Sequence, residues 1–136
     1  MRPIDHYLLD AVTERSVHKI KFAMMAGGDV NARYYKDSTI FMYVAEMCSP
    51  EIVSMLIKKA DINAKNKLGE TALSLAILLG NDMVSTMLIE AGADVNSCIF
   101  PDKSILCYIT KRKDYVGKKL IKMLTDRGAK NNREEP

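Results

Sequence analysis

The sequence predicts an all-α solenoid of four helix-turn-helix units, and three observations carry that expectation. A short phrase recurs as GGDVNA (Gly27–Ala32), KADINA (Lys59–Ala64), AGADVN (Ala91–Asn96) and RGAKNN (Arg127–Asn132), with Asp29, Asp61, Asp94 and Lys130 spaced by 32, 33 and 36 residues. Two apolar runs precede each phrase. From Asp29 to Thr39, Asp61 to Thr71 and Asp94 to Ser104 the distance is ten residues each time, and a spacer held constant while its side chains vary indicates fixed backbone geometry.

Taken in order, the first run of each unit is YLLDAV, TIFMYVAEMC, TALSLAILLG and SILCYITKR, each about two to three turns long. Thr39, Thr71 and Ser104 place a hydroxyl just before an apolar run, where it can accept from the orphan N–H groups of a first helical turn, so these residues read as N-caps. The second runs are VHKIKFAMMA, EIVSMLIKKA, MVSTMLIEA and KKLIKMLTDR, with apolar residues spaced by three and four as on one face of a helix. The Gly27–Gly28 pair closes a helix and reads as a C-cap; a phosphate cradle would open one. Asp29, Asp61 and Asp94 sit one repeat apart in equivalent turns, where a carboxylate bonds local backbone N–H groups.

Two phrases recurring in phase make the chain resemble the ankyrin repeat, a unit of about 33 residues with a TPLHxA signature. The best match is TALSLAILLG at Thr71–Gly80 followed by AGADVN at Ala91–Asn96, and the resemblance spans roughly residues 5–132. It implies short β-hairpin fingers and one domain over 1–136, with repeats at about 4–33, 34–66, 67–98 and 99–132 and a polar tail at 133–136. The signature's Pro is here Ile40, Ala72 and Ile105, and its His is Met42, Ser74 and Cys107, so the bonds that His makes between repeats are expected to be missing. The second repeat is one residue short in its closing turn (Lys59, Ala60, Asp61), and the fourth has about three extra residues around Lys113–Lys118. Stacked units share a core and terminal units shield its ends. The first is expected to offer Asp5, Asp10, Glu14, Arg15, Lys19 and Lys21 to water, and the last Lys118, Lys119, Lys122 and Asp126.

Composition narrows the class further. The 136 residues suit one domain, and 48% hydrophobic content is globular. The longest stretch without charge, Thr71–Asn81, has 11 residues, against about 18 or more for a membrane span. Arg2, Asp5, Asp10, Glu14 and Arg15 break up any secretory apolar core, and Cys48, Cys98 and Cys107 are an odd set without CxxC spacing. A monomer in a reducing cytoplasm is the expectation. His6 and His18, three scattered Cys and no convergent acids predict no enzyme, no metal and no cofactor.

Net charge is +3, with ten basic and twelve acidic side chains in residues 1–100 but ten and five in 101–136. The basic group Lys111, Arg112, Lys113, Lys118, Lys119 and Lys122 admits nucleic-acid or acidic-partner binding as an alternative, but it lacks interleaved aromatic residues for stacking on bases. The resemblance instead implies a concave recognition surface of finger tips and inner helices. Carried over by position, the tips supply Tyr35, Lys36 and Ser38, then Lys67, Leu68 and Glu70, then Phe100, Pro101 and Lys103; the inner helices supply Glu46, Met47, Leu78, Leu79, Lys111 and Arg112. Tyr34, Tyr35, Ile99 and Phe100 stand where solvent is expected, and exposed aromatic anchors within a polar rim suggest an interface. The expected function is therefore non-enzymatic binding of another protein, with a small inhibitor, immunity or effector protein as a further alternative.

Overall fold

In the computed structural model, residues 1–100 and 103–130 are described, except for the Phe100 side chain. Pro101 and the stretch 131–136, which holds the end of the fourth phrase and the polar tail, lie outside the described residues. Four helix pairs follow one another along the chain: α1 Pro3–Thr13 with α2 Val17–Met25, α3 Ile40–Met47 with α4 Pro50–Leu56, α5 Ala72–Leu78 with α6 Asp82–Glu90, and α7 Ile105–Ile109 with α8 Tyr115–Asp126. The two strands, β1 Cys98–Phe100 and β2 Lys103–Ser104, pair antiparallel in the third finger.

Local sequence explains where the helices begin. Thr39, Thr71 and Ser104 accept from the N–H groups of Met42, Ser74 and Cys107 at 3.1, 3.2 and 3.0 Å, opening α3, α5 and α7 equivalently. At α5 the cap is reciprocal, because the Thr71 N–H donates back to Ser74 Oγ at 2.9 Å. Ser74 thus closes a capping box where the family has His, and the Thr71 and Ser97 hydroxyls, 3.0 Å apart, link this repeat to the next finger. Ser16 and Asp114 cap α2 and α8, and prolines open α1 and α4, where a missing N–H costs nothing.

The helix ends differ with the residue that follows each one. Gly27, Gly92 and Gly128 follow α2, α6 and α8 with φ of +92°, +94° and +89°, the left-handed closure that a Cβ resists. The second unit has Lys59 and Ala60 there, and α4 ends instead in the tighter 3-10 turn Ile57–Lys59. The residues added in the fourth unit are absorbed by a longer helix, 12 residues in α8 against 9 in α2 and α6.

A ladder of asparagines locks the turns in register. Oδ1 of Asn31, Asn63 and Asn96 accepts from the backbone N–H of Asp61, Asp94 and Lys130 in the following turn at 2.7, 2.7 and 2.9 Å. Asn31 and Asn96 also donate across the same junctions to the Lys59 and Gly128 carbonyls. Asp29 and Asp94 accept from the N–H two residues on, the local turn bond expected of them.

At the first turn the ladder is completed by a charged pair. Asp5 is 3% exposed, contrary to the expectation that it faces water. Its carboxylate accepts from the Asp29 N–H at 2.8 Å and from the Arg2 guanidinium at 2.9 and 3.1 Å, while Arg2 donates to the Gly27 carbonyl at 3.0 Å. Asp5 and Arg2 together therefore make the two bonds that one asparagine makes at later junctions. Burial alone would raise the Asp5 pKa, but the bonds from Arg2 and the Asp29 amide outweigh it and hold the group below the usual carboxylate range.

One apolar cluster runs from Leu8 in α1 to Leu124 in α8, so each helix pair is buried by its neighbours. Ile99, expected at a solvent-exposed tip, is 3% exposed and belongs to that cluster. Because the third finger is a paired ladder, alternate residues face opposite sides, and Ile99 faces the core. Tyr34 is half-buried against the same cluster, while the neighbouring Tyr35 ring stays in solvent.

Candidate partner-binding groove

The first finger is built under strain. Lys36 and Asp37 have φ of 57° and 60°, a left-handed conformation that costs a non-glycine residue about 1 kcal/mol or more each. It is held by Arg33, whose Nη1 donates to the Asp37 carbonyl at 2.7 Å and to the Lys65 carbonyl of the next finger at 2.9 Å. The Lys67 N–H donates to the Lys36 carbonyl at 3.0 Å, joining the two tips. This turn presents the Tyr35 ring, 74% exposed, with the Lys36 ammonium 5.4 Å from its centroid.

The second finger is organised by one buried side chain, Asn66. Its Oδ1 accepts from the Leu68 and Glu70 N–H groups at 2.9 and 3.0 Å, and its Nδ2 donates to Glu70 Oε1 at 2.9 Å and Ser38 Oγ at 3.2 Å. Asn66 therefore shapes the turn, orients Glu70 and ties the finger to its predecessor. Nothing in the repeat phrase marks it; its only sequence signal is turn chemistry, an Asn three residues before Gly69.

Between these fingers and the inner helices α3 and α5 lies a groove of about 330 Å³ that gathers Tyr35, Lys36, Glu46, Leu68, Glu70, Leu78 and Leu79, all predicted from sequence. Tyr34, Ser38, Asn66 and Leu75 complete it. Leu68 and Leu79 are 54% and 50% exposed, apolar surface that the stack leaves uncovered. Burial, reinforced by the Glu70 charge, pushes the Glu46 pKa up; burial, reinforced by Glu46, does the same to the Tyr34 phenol.

A second hollow of about 390 Å³ adjoins it, lined by Ile77, Leu78, Gly80, Asp82, Tyr108, Lys111 and Arg112, so that Leu78 borders both. Arg112 lies beyond the end of α7 and is engaged within the chain. Its guanidinium forks onto Asp82 at 2.7 and 3.0 Å and onto Asp114 at 2.6 Å. Hydrogen bonds donated to Asp82 and then to Asp114 raise the Arg112 pKa, and Arg112 lowers that of Asp114 to about 2. A Cβ on Gly117 would stand 2.7 Å from the Arg112 Cβ and 2.9 Å from Asp114 Oδ1, so glycine is what lets α8 approach this fork. Gly117→Ala is expected to displace the fork and lower stability by about 1–3 kcal/mol, read from the midpoint of chemical unfolding. An unchanged midpoint would show that the close approach carries no constraint.

The other predicted positions are dispersed. Met47 is exposed at the end of α3, Lys67 is exposed at the second tip and Lys103 is half-buried in β2; none lines either hollow. The Phe100 side chain lies outside the described residues. His6 and His18 are exposed on α1 and α2, whereas Cys48 is buried and its thiol is pushed up by that burial, the opposite of nucleophile activation. No helix among the described residues is long and apolar enough to cross a membrane.

Residues 8–98, more than half of the chain, match the model for ankyrin repeats in three copies. The chain belongs to the ankyrin-repeat family. Ankyrin repeats are generally protein-interaction modules and typically non-enzymatic, and the groove lies entirely within the matched ankyrin segment. The chain is also similar to the mitochondrial disaggregase of Bos taurus, 46% identical over 46 residues (34% of this chain, 7% of that protein). With the Homo sapiens mitochondrial disaggregase it is 38% identical over 61 residues, 45% of this chain and 9% of that protein. The chain thus covers less than a tenth of the length of these relatives, and the likeness is confined to 46 and 61 residues of it.

Proposed function

We propose that this ankyrin-repeat chain is a non-enzymatic recognition module that binds a protein partner through the concave groove between its first two fingers and helices α3 and α5. The observation that carries this reading is the convergence there of exposed Tyr35, Leu68 and Leu79 with the charged Lys36, Glu46 and Glu70. Apolar anchors inside a polar rim are the usual anatomy of a binding hot spot. The strained, doubly tethered turn under Tyr35 supports it, since strain of that kind persists where the backbone must display a side chain. The basic C-terminal repeat supports nucleic-acid binding less well, because Arg112 is neutralised by Asp82 and Asp114 and Lys122 by Asp126.

The test is Tyr35→Ala combined with Leu79→Ala. Both side chains are exposed, so the melting temperature is expected to stay close to that of the wild type. A partner retained on the immobilised wild-type chain should bind the double variant at least about tenfold more weakly, the loss expected from truncating two anchors. Equal affinity for both proteins would place the interface elsewhere.

A further inference from the structure

We propose that the group this groove receives is a cation, the arginine or lysine side chain of a partner segment, held by Glu46 and Glu70 with its aliphatic stem on Leu68 and Leu79. This deepens the reading above and rests on it. The two hollows of the concave face differ in one respect. In the hollow lined by Asp82 the chain supplies its own arginine, and the Arg112 fork satisfies the half-buried carboxylate. In the groove lined by Glu46 and Glu70, among the described residues, no cation pairs with either carboxylate. Among the described residues the Glu46 carboxylate makes no hydrogen bond or ion pair, and the Glu70 carboxylate accepts one bond, from the neutral Asn66 amide. The one cationic side chain lining the groove, Lys36, sits by the Tyr35 ring and forms no ion pair with either glutamate.

Two carboxylates held on a partly apolar wall repel each other and resist desolvation. Burial, and then the Glu70 charge, push the Glu46 pKa up, and the positive charge of an incoming cation would offset both. The surroundings select the kind of cation. Leu68, Leu78 and Leu79 suit the methylene stem of Arg or Lys and an adjoining apolar residue, and the Tyr34 and Tyr35 rings favour a cationic head. A nucleic acid, whose phosphates would meet these glutamates, is the wrong sign of ligand for this position.

A random heptapeptide library displayed on phage and selected on the immobilised full chain tests this. Peptides retained by the wild type should carry Arg or Lys beside an apolar residue about fivefold above input frequency, a ratio equivalent to about 1 kcal/mol. Glu46→Gln with Glu70→Gln keeps the shape of both side chains and should abolish that enrichment, while Glu46→Lys should shift selection towards Asp and Glu. Peptides without basic bias that are lost on the Tyr35→Ala, Leu79→Ala surface would overturn the cation and leave the groove as docking site. No enrichment at all, or enrichment indifferent to both pairs of substitutions, would overturn the cation and the groove together.

Discussion

Phe41→Ala is expected to destabilise the fold by about 3–5 kcal/mol, the range for truncating a fully buried aromatic side chain. Phe41 is 1% exposed and belongs to the continuous cluster that joins the helix pairs. Its N–H donates to the Val30 carbonyl at 2.9 Å, and alanine keeps that bond, so the loss reports the ring alone. The equivalent residues one and two repeats on are Leu73 and Leu106, both buried. Phe41→Leu therefore copies the chain's own solution and should cost less than about 1.5 kcal/mol. Unfolding midpoints at constant denaturant slope decide the matter, with the exposed Tyr35→Ala as control. A cost below about 1 kcal/mol for Phe41→Ala would mean that the repeats do not close over this ring.

The second large effect belongs to Asp5. Asp5→Leu leaves the Asp29 N–H without its acceptor and Arg2 without its partner, and is expected to cost about 2–3 kcal/mol near neutral pH. Asp5→Asn keeps an acceptor of the kind used by Asn31, Asn63 and Asn96 at the later junctions, and should retain more than half of that stability. The pH dependence has a definite sign. The folded Asp5 pKa lies below its ordinary value of 3.8, so the group binds fewer protons in the folded chain than in the unfolded one. Its contribution is complete above 3.8 and is lost as pH falls through the lowered folded value. Wild type and Asp5→Leu should thus differ most at neutral pH and converge in acid. A difference that stays constant down to about pH 2 would mean that the contact does not depend on charge.

These residues also show how far the chain could be read before it folded. The caps at Thr39, Thr71 and Ser104 were legible because a hydroxyl ahead of an apolar run acts within one helical turn. The Asp29 and Asp94 turn bonds were legible for the same reason, since donor and acceptor lie two residues apart. Asp5, Ile99 and Asn66 were not. The first faces an amide 24 residues away, the second is turned inward by a strand pairing, and the third earns its burial from contacts on two fingers.

The recurring phrase and its period settled the repeat architecture, because each unit's helices are specified by neighbours in sequence and the stacking follows from the apolar face they share. Which charged and aromatic side chains meet was decided only when the units stacked. Arg112 found Asp82 in the preceding repeat, while Glu46 and Glu70 came to line one groove in which neither forms an ion pair among the described residues. A charged pairing that occurs at a single junction, unlike the recurring asparagine ladder, leaves no periodic trace in a single sequence, so the chemistry of the groove is a property of the stacked fold.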